Sequence, residues 1–244
     1  MKTIKQILTV IIFIALVSCG NENNPVGTSP NAILKTEKKY LLDTKNDSKL
    51  SLISQKNYNK EAKLILTINY SNGLVSTKSD YSYQGVESQE VKYSYGINGD
   101  ELGKETNKFV YTTDGKLISF VSLDSSGSLL SKADYAYDIQ GNIVKAIEVT
   151  GNTTTERNYT NVYNQAGNLS ERIVYLSKDI ISQRDSLVYF NGQPTFDKYT
   201  LSANGTVLNR IKYSFRLDGK LQFETEYDKS GAIIRKYGYE YIYY

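Results

Sequence analysis

The sequence predicts an all-β protein, a long antiparallel meander of strand–turn units of about 13 residues, rolled or spiralling into a curved sheet. Three observations lead there. Glycines fall at positions 73, 85, 99, 115, 127, 141, 167, 192, 205, 219 and 231, and four of the longer spacings are 26 residues. Between them, apolar and polar residues alternate, as in Ile211, Tyr213, Phe215 and Leu217 against Arg210, Lys212, Ser214 and Arg216. Finally, each unit ends in Tyr or Phe, passes through a polar turn with Gly, and resumes with Leu or Ile two residues later.

The chain opens differently. Lys2 and Lys5 precede an apolar run from Ile7 to Val17. That run is too short to cross a bilayer core of ~30 Å as a helix, and its flanks are those of a cleavable secretory signal. It closes on Leu16-Val17-Ser18-Cys19, followed by Gly20. This stretch resembles the lipobox of bacterial lipoproteins. The resemblance implies cleavage before Cys19 and lipid on its thiol, so the membrane is the expected partner. Without an Asp after the cysteine, the outer membrane is favoured. The expected segments are a signal peptide at 1–18, the lipidated Cys19 with a polar tether to 32, and a repeat domain at 33–244.

The tether contains Pro25 and Pro30 and has no apolar periodicity. The repeats follow. Clear copies are Tyr111 to Leu117, Tyr137 to Ile143, Tyr163 to Leu169, Phe215 to Leu221 and Tyr227 to Ile233. The stretches after Asp47 and Tyr58 read as copies that have lost their Gly. Glycine supplies positive φ in such turns, and Asp or Asn bonds back to the turn backbone. About fifteen strands are expected, and a twisted sheet of that length curls or splits into two packed layers. For the strands around the 216–220 turn, alternation favours registers pairing odd with odd positions. Those would set Lys212 against Glu224 or Glu226, and Arg210 against Glu226 or Asp228, on an outer face.

Tyr137-Asp138-x-x-Gly141-x-Ile143 and Tyr227-Asp228-x-x-Gly231-x-Ile233 resemble the YD repeat of the Rhs and YD-repeat family. In that family, such repeats build hairpin sheets that wrap into shells. The resemblance implies the architecture and, by analogy, an accessory or immunity role beside a toxin.

Composition narrows the chemistry. There is no His and no Trp, and Cys19 is the single cysteine, which removes His-based triads, disulfides within the chain and thiolate zinc sites. Lys and Arg number 29 against 26 Asp and Glu, with no basic run, so nucleic acid is not an expected partner and no cofactor is implied. A carboxylate-dependent glycoside hydrolase would draw on Asp114, Asp138, Asp218 and Asp228, which read as repeats of one turn position. The expectation is a non-enzymatic envelope protein that binds a ligand or builds the cell surface. With 22 Tyr against 7 Phe, its aromatic face is expected to be partly wet, because a buried phenol needs a hydrogen-bond partner. The candidate ligand-facing stripe is Tyr237, Tyr239, Tyr241 and Tyr243, facing glycan or protein. The plainer alternative is that these rings are the inward stripe of a last strand.

Overall fold

The computed structural model describes residues 33–177, 180–189 and 195–244. The export signal, Cys19, the tether and Gly192 lie outside the described residues. Sixteen strands follow in order: β1 (Leu34–Leu42), β2 (Lys49–Tyr58), β3 (Leu64–Ser71), β4 (Leu74–Gln84), β5 (Glu87–Tyr95), β6 (Glu101–Tyr111), β7 (Leu117–Leu123), β8 (Leu129–Tyr137), β9 (Ile143–Thr150), β10 (Thr153–Tyr163), β11 (Leu169–Ser177), β12 (Ile180–Tyr189), β13 (Thr195–Ser202), β14 (Val207–Phe215), β15 (Leu221–Tyr227) and β16 (Ile233–Tyr243). Each pairs antiparallel with its chain neighbours, and β1 pairs with β16. The expected meander forms, with sixteen strands where the repeats suggest about fifteen, and its rolling ends in a closed barrel.

The repeat unit has a definite local structure. In the 138–142 turn, Gly141 N–H donates to Asp138 O at 3.0 Å and Asp138 N–H to Asn142 O at 2.8 Å. Gly141 has φ 84°, the left-handed region that glycine enters without strain. The 112–116 and 228–232 turns repeat both bonds. Of the decayed copies, 59–63 keeps the geometry without the glycine, with Ala62 at φ 58° donating to Asn59 O at 3.0 Å, while 43–48 is one residue longer, with Asp47 at φ 60° donating to Asp43 O at 3.0 Å.

Such a turn is followed by a β-bulge. Tyr137 pairs with Ile143, but Ala136 pairs with Lys145, so Val144 is the extra residue. The bulge overturns the register expected from alternation. Phe215 does pair with Leu221, odd with odd, but the next pair is Ser214 with Phe223. Beyond it, Lys212 lies opposite Thr225 and Arg210 opposite Tyr227, so neither faces an acidic residue across this ladder. Their carboxylate neighbours pair elsewhere, Glu224 with Lys39 and Glu226 with Arg235. A single extra residue turns every later side chain to the other face.

Opposed residues can be followed round the barrel on each face. One face carries Ser79, Asn107, Ser122, Ala133, Ala146, Arg172, Val174 and Asp185, all buried. The other carries exposed pairs such as Lys132–Asp134 and Lys145–Glu156. Side chains converge on the concave side of a curved sheet and splay on the convex side, so the first face is the inner one. It is not a dry core. The buried apolar side chains among the described residues are Leu42, Ala133, Ile143, Ala146, Leu169, Val174 and Phe196, and most of the inner face is half-buried. A barrel of ~16 strands is wide enough to leave an aqueous lumen.

The turns after even-numbered strands share one rim with Ile33 and Tyr244, whose N–H donates to Ile33 O at 3.1 Å. We call this the terminal rim. The turns after odd-numbered strands form the far rim.

Candidate functional site: an aromatic girdle inside the terminal rim

A turn of fixed hand carries the chain rightwards from an ascending strand and rightwards again from a descending one. The two cases are related by a two-fold axis in the plane of the sheet, so identical turns present opposite faces. The aromatic residue that closes a strand therefore points outward at the far rim, as Tyr227 does beside Arg210, and inward at the terminal rim. Two units of 13 return the pattern to the same rim and face. Tyr111, Tyr137, Tyr163, Tyr189 and Phe215 close alternate strands at intervals of 26, Tyr241 follows 26 residues later and two short of the end of β16, and Tyr58 and Tyr83 complete the inner girdle.

Four of these phenols are clasped in the same way. Tyr83, Tyr137, Tyr189 and Tyr241 donate to the backbone carbonyls of Leu64, Leu117, Leu169 and Leu221, at 2.8, 2.5, 3.0 and 2.7 Å. Each acceptor is the first residue of the preceding strand, so each ring leans across its neighbour and lies along the sheet. Between Tyr83 and Tyr111 is a hollow of ≈ 310 Å³, also lined by Val86, Glu87 and Thr112.

Tyr163 is held differently. Its hydroxyl donates to Asp138 Oδ2 at 2.5 Å and accepts from Asn142 Nδ2 at 2.8 Å. Asn161 donates to the same carboxylate, and its own oxygen accepts from Arg172 Nε at 3.1 Å. Arg172 Nη2 reaches Asn142 Oδ1 at 3.2 Å. Burial opposes ionisation of Asp138, yet bonds from Tyr163, the Asn142 backbone and Asn161 outweigh it and hold the carboxyl below its ordinary range. Burial, then the bond to Asp138, pushes Tyr163 up to about 12.

The stripe of Tyr237, Tyr239, Tyr241 and Tyr243 does share one face of β16, and that face is the inner one. It borders no free edge, because β16 pairs with β1. Lys39 Nζ lies 4.0 Å from the Tyr237 ring centre and 3.1 Å from Glu224 Oε2, which also accepts from Tyr239 at 2.8 Å. Tyr243 reaches Asp218 at 3.3 Å.

The four candidate carboxylates do not share one turn position, contrary to the reading from spacing. Asp138 and Asp228 open their turns and accept from the N–H four residues on. Asp114 and Asp218 stand just before the glycine and pair with Lys116 and Arg216 of their own turns. Asp228 lies at the far rim and the others at the terminal rim. Among the described residues, no group of three or more His, Cys, Asp or Glu is placed to hold a metal ion.

Sequence reasoning missed two inner amides. Asn107 donates to Glu90 at 2.7 Å and Asn209 to Glu226 at 3.1 Å, and the oxygen of each is buried without a partner. It also missed Asp197 on the outer face. That residue is 1% exposed, and its Oδ2 accepts from Arg210 Nη2 at 2.6 Å under the Tyr227 ring. Neither has a local signal, since both partners come from other strands.

No family model matches the chain, and no curated protein matches it. Among solved structures, it is similar to a porin-like protein from Bacteroides vulgatus, at 12% identity and a TM-score of 0.39, over 65% of this chain and 99% of that one. A porin-like protein from Bacteroides uniformis matches at 10% identity and a TM-score of 0.37, over 88% and 100%. TcdB2-TccC3 without its hypervariable C-terminal region matches at 12% identity and a TM-score of 0.20, over 80% of this chain and 16% of that one. All three scores fall below 0.5, and the fold described above rests on the strand pairing itself.

Proposed function

We propose that the chain is a non-catalytic, lipid-anchored barrel of the bacterial cell envelope whose lumen binds a hydroxyl-rich ligand, a glycan. The observation that carries this reading is the inner face. Where a storage or scaffold barrel would pack aliphatic side chains, this one presents half-buried tyrosine rings laid along the sheet, with amide and carboxylate groups between them. Rings of that kind stack on sugar faces, and the polar groups between them suit sugar hydroxyls. The lipid anchor rests on the Leu16-Val17-Ser18-Cys19 motif.

The same reading sets the barrel beside the membrane and not across it. A spanning barrel carries an outward apolar band ~25 Å tall. Here the outer face carries Lys78–Asp80, Lys132–Asp134, Lys145–Glu156 and Arg184–Glu171 within its strands. All the strand pairings among the described residues lie within 33–244, so a chain freed of residues 1–19 retains them. Applied to a glycan array, that chain is expected to bind. Binding should be lost in Tyr137→Ala with Tyr241→Ala, and kept in the outer-face control Lys132→Ala. An empty array, or loss in the control alone, sinks the lumen reading.

A further inference from the structure

We infer that the terminal rim is a membrane-docking surface, its turn tips entering the headgroup layer of an anionic bilayer. The inference takes its geometry from the lipid-anchored reading above, but its surface chemistry stands on the rim itself. Three turns there carry exposed large apolar side chains, as the far rim does at Ile97 and Leu102. Ile139 is 94% exposed, Leu217 is 72% exposed and Val86 is 45% exposed, and Tyr244 beside them is 54% exposed. Hairpin tips suit this use, because their backbone groups are already bonded within the turn, as in 138–142 and 216–220.

Charge separates the two rims. Lys60, Lys63, Lys116, Arg216 and Lys220 lie in the turns of the terminal rim. Against these five bases stand Glu61, Asp114, Asp138 and Asp218, with Asp114 and Asp218 paired to Lys116 and Arg216, so the turns carry one positive charge by subtraction. The far rim's turns carry Asp43, Asp47, Asp100, Asp124 and Asp228, which Lys45 and Lys229 offset only in part. Lysines near a negatively charged bilayer surface attract it, and the far rim's carboxylates are repelled.

The chain's path agrees. Residue 33 sits at the terminal rim, and residues 20–32 separate it from Cys19. Thirteen residues reach at most roughly 45 Å even when fully extended, so lipid on Cys19 keeps this rim near the lipid surface. The far rim stands a strand's length further out, roughly 30 Å. Apolar tips entering ~5–10 Å deep, with basic residues at headgroup level, are the pattern of interfacial binding.

The test uses the full chain reconstituted on vesicles of phosphatidylethanolamine and phosphatidylglycerol. Single cysteines are introduced at Ile139→Cys and Leu217→Cys. Ile97→Cys at the far rim is the matched control, itself 81% exposed, and Lys132→Cys marks the barrel wall. Each carries an environment-sensitive dye, read for blue shift and for quenching by lipid-borne nitroxide. Labels at 139 and 217 are expected to shift and quench, while those at 97 and 132 stay aqueous. If all four stay aqueous, or if 97 or 132 is quenched as strongly, docking is overturned. The parent chain without added cysteine reports the anchor separately: dye uptake at Cys19 means that the thiol is free and the lipid reading fails. In that case the series is repeated as Cys19→Ser with vesicles in excess, where an aqueous signal at 139 and 217 again overturns docking.

Discussion

Burying a phenol on the inner face of this barrel penalises its anion, and the acids beside it add to the penalty. Tyr135, Tyr163 and Tyr213 are pushed up to about 12, in each case first by burial. For Tyr213 the charge of Glu224 comes second. Tyr58, Tyr81, Tyr239 and Tyr241 are raised further, again first by burial. In the unfolded chain all of them ionise near the ordinary value of about 10. Below that value both states hold the proton, and the full stability is present. As pH rises above it, the unfolded state releases protons that the folded state keeps, so stability falls progressively through the raised values. Urea midpoints measured from about pH 9 to about pH 12 should therefore fall steeply, with tyrosinate absorbance rising together with loss of sheet signal. Tyr163→Phe removes one raised group and should lessen the slope. Tyrosinate forming in one ordinary titration with the sheet intact would contradict the burial argument.

At the scale of the element, one turn recurs with different residues bearing its strain. Ala62 holds φ 58° where other copies have glycine, and a Cβ there costs about 1 kcal/mol. Ala62→Gly relieves that strain and loosens the unfolded chain, for a net gain of about 0.5 kcal/mol. Gly231 gives the converse. Its φ is 87°, and no atom lies within 4 Å of the place a Cβ would take, so Gly231→Ala should cost about 1 kcal/mol through φ alone. Opposite signs in urea midpoints are the expected result, and equal signs would mean that the two turns are not the same element. These turns are legible because glycine and Asp mark them locally. The bulge at Gln222 is not, because alternation from Leu221 to Tyr227 reads as unbroken across it. Elsewhere its trace lies in the apolar doublets that reopen the strands, Leu117-Ile118, Leu129-Leu130, Ile143-Val144 and Ile233-Ile234, where strict alternation allows one apolar residue. The doublet serves both faces: Leu117 meets Tyr111 inside, and the next residue is the extra one.

For the whole molecule, curvature is readable and closure is not. A long twisted meander must curl, but whether its ends meet depends on twist and bulges summed over sixteen strands. The seam itself is ordinary sheet. Lys38 lies directly opposite Glu240, and Lys39 and Lys49 reach across to Glu224 and Glu240. Those ion pairs look no different in sequence from surface charges, and the strands that carry them stand at opposite ends of the domain. The girdle's period is visible for the same reason that the seam is hidden: one repeats locally, and the other occurs once. Closure can be tested by its geometry. Opposed residues in an antiparallel ladder sit ~4.5–5.5 Å apart at Cα, inside the range that a disulfide spans. Lys38→Cys with Glu240→Cys, in a Cys19→Ser chain, should oxidise within one molecule and migrate faster on a non-reducing gel. Losing the exposed Lys49–Glu240 pair costs at most about 1 kcal/mol, too little to open the sheet. Lys38→Cys with Glu156→Cys joins strands far apart in the barrel order and should stay reduced. A spiral with unpaired ends would leave both variants reduced or link them between molecules, and the lumen with its girdle would then be a groove open along one side.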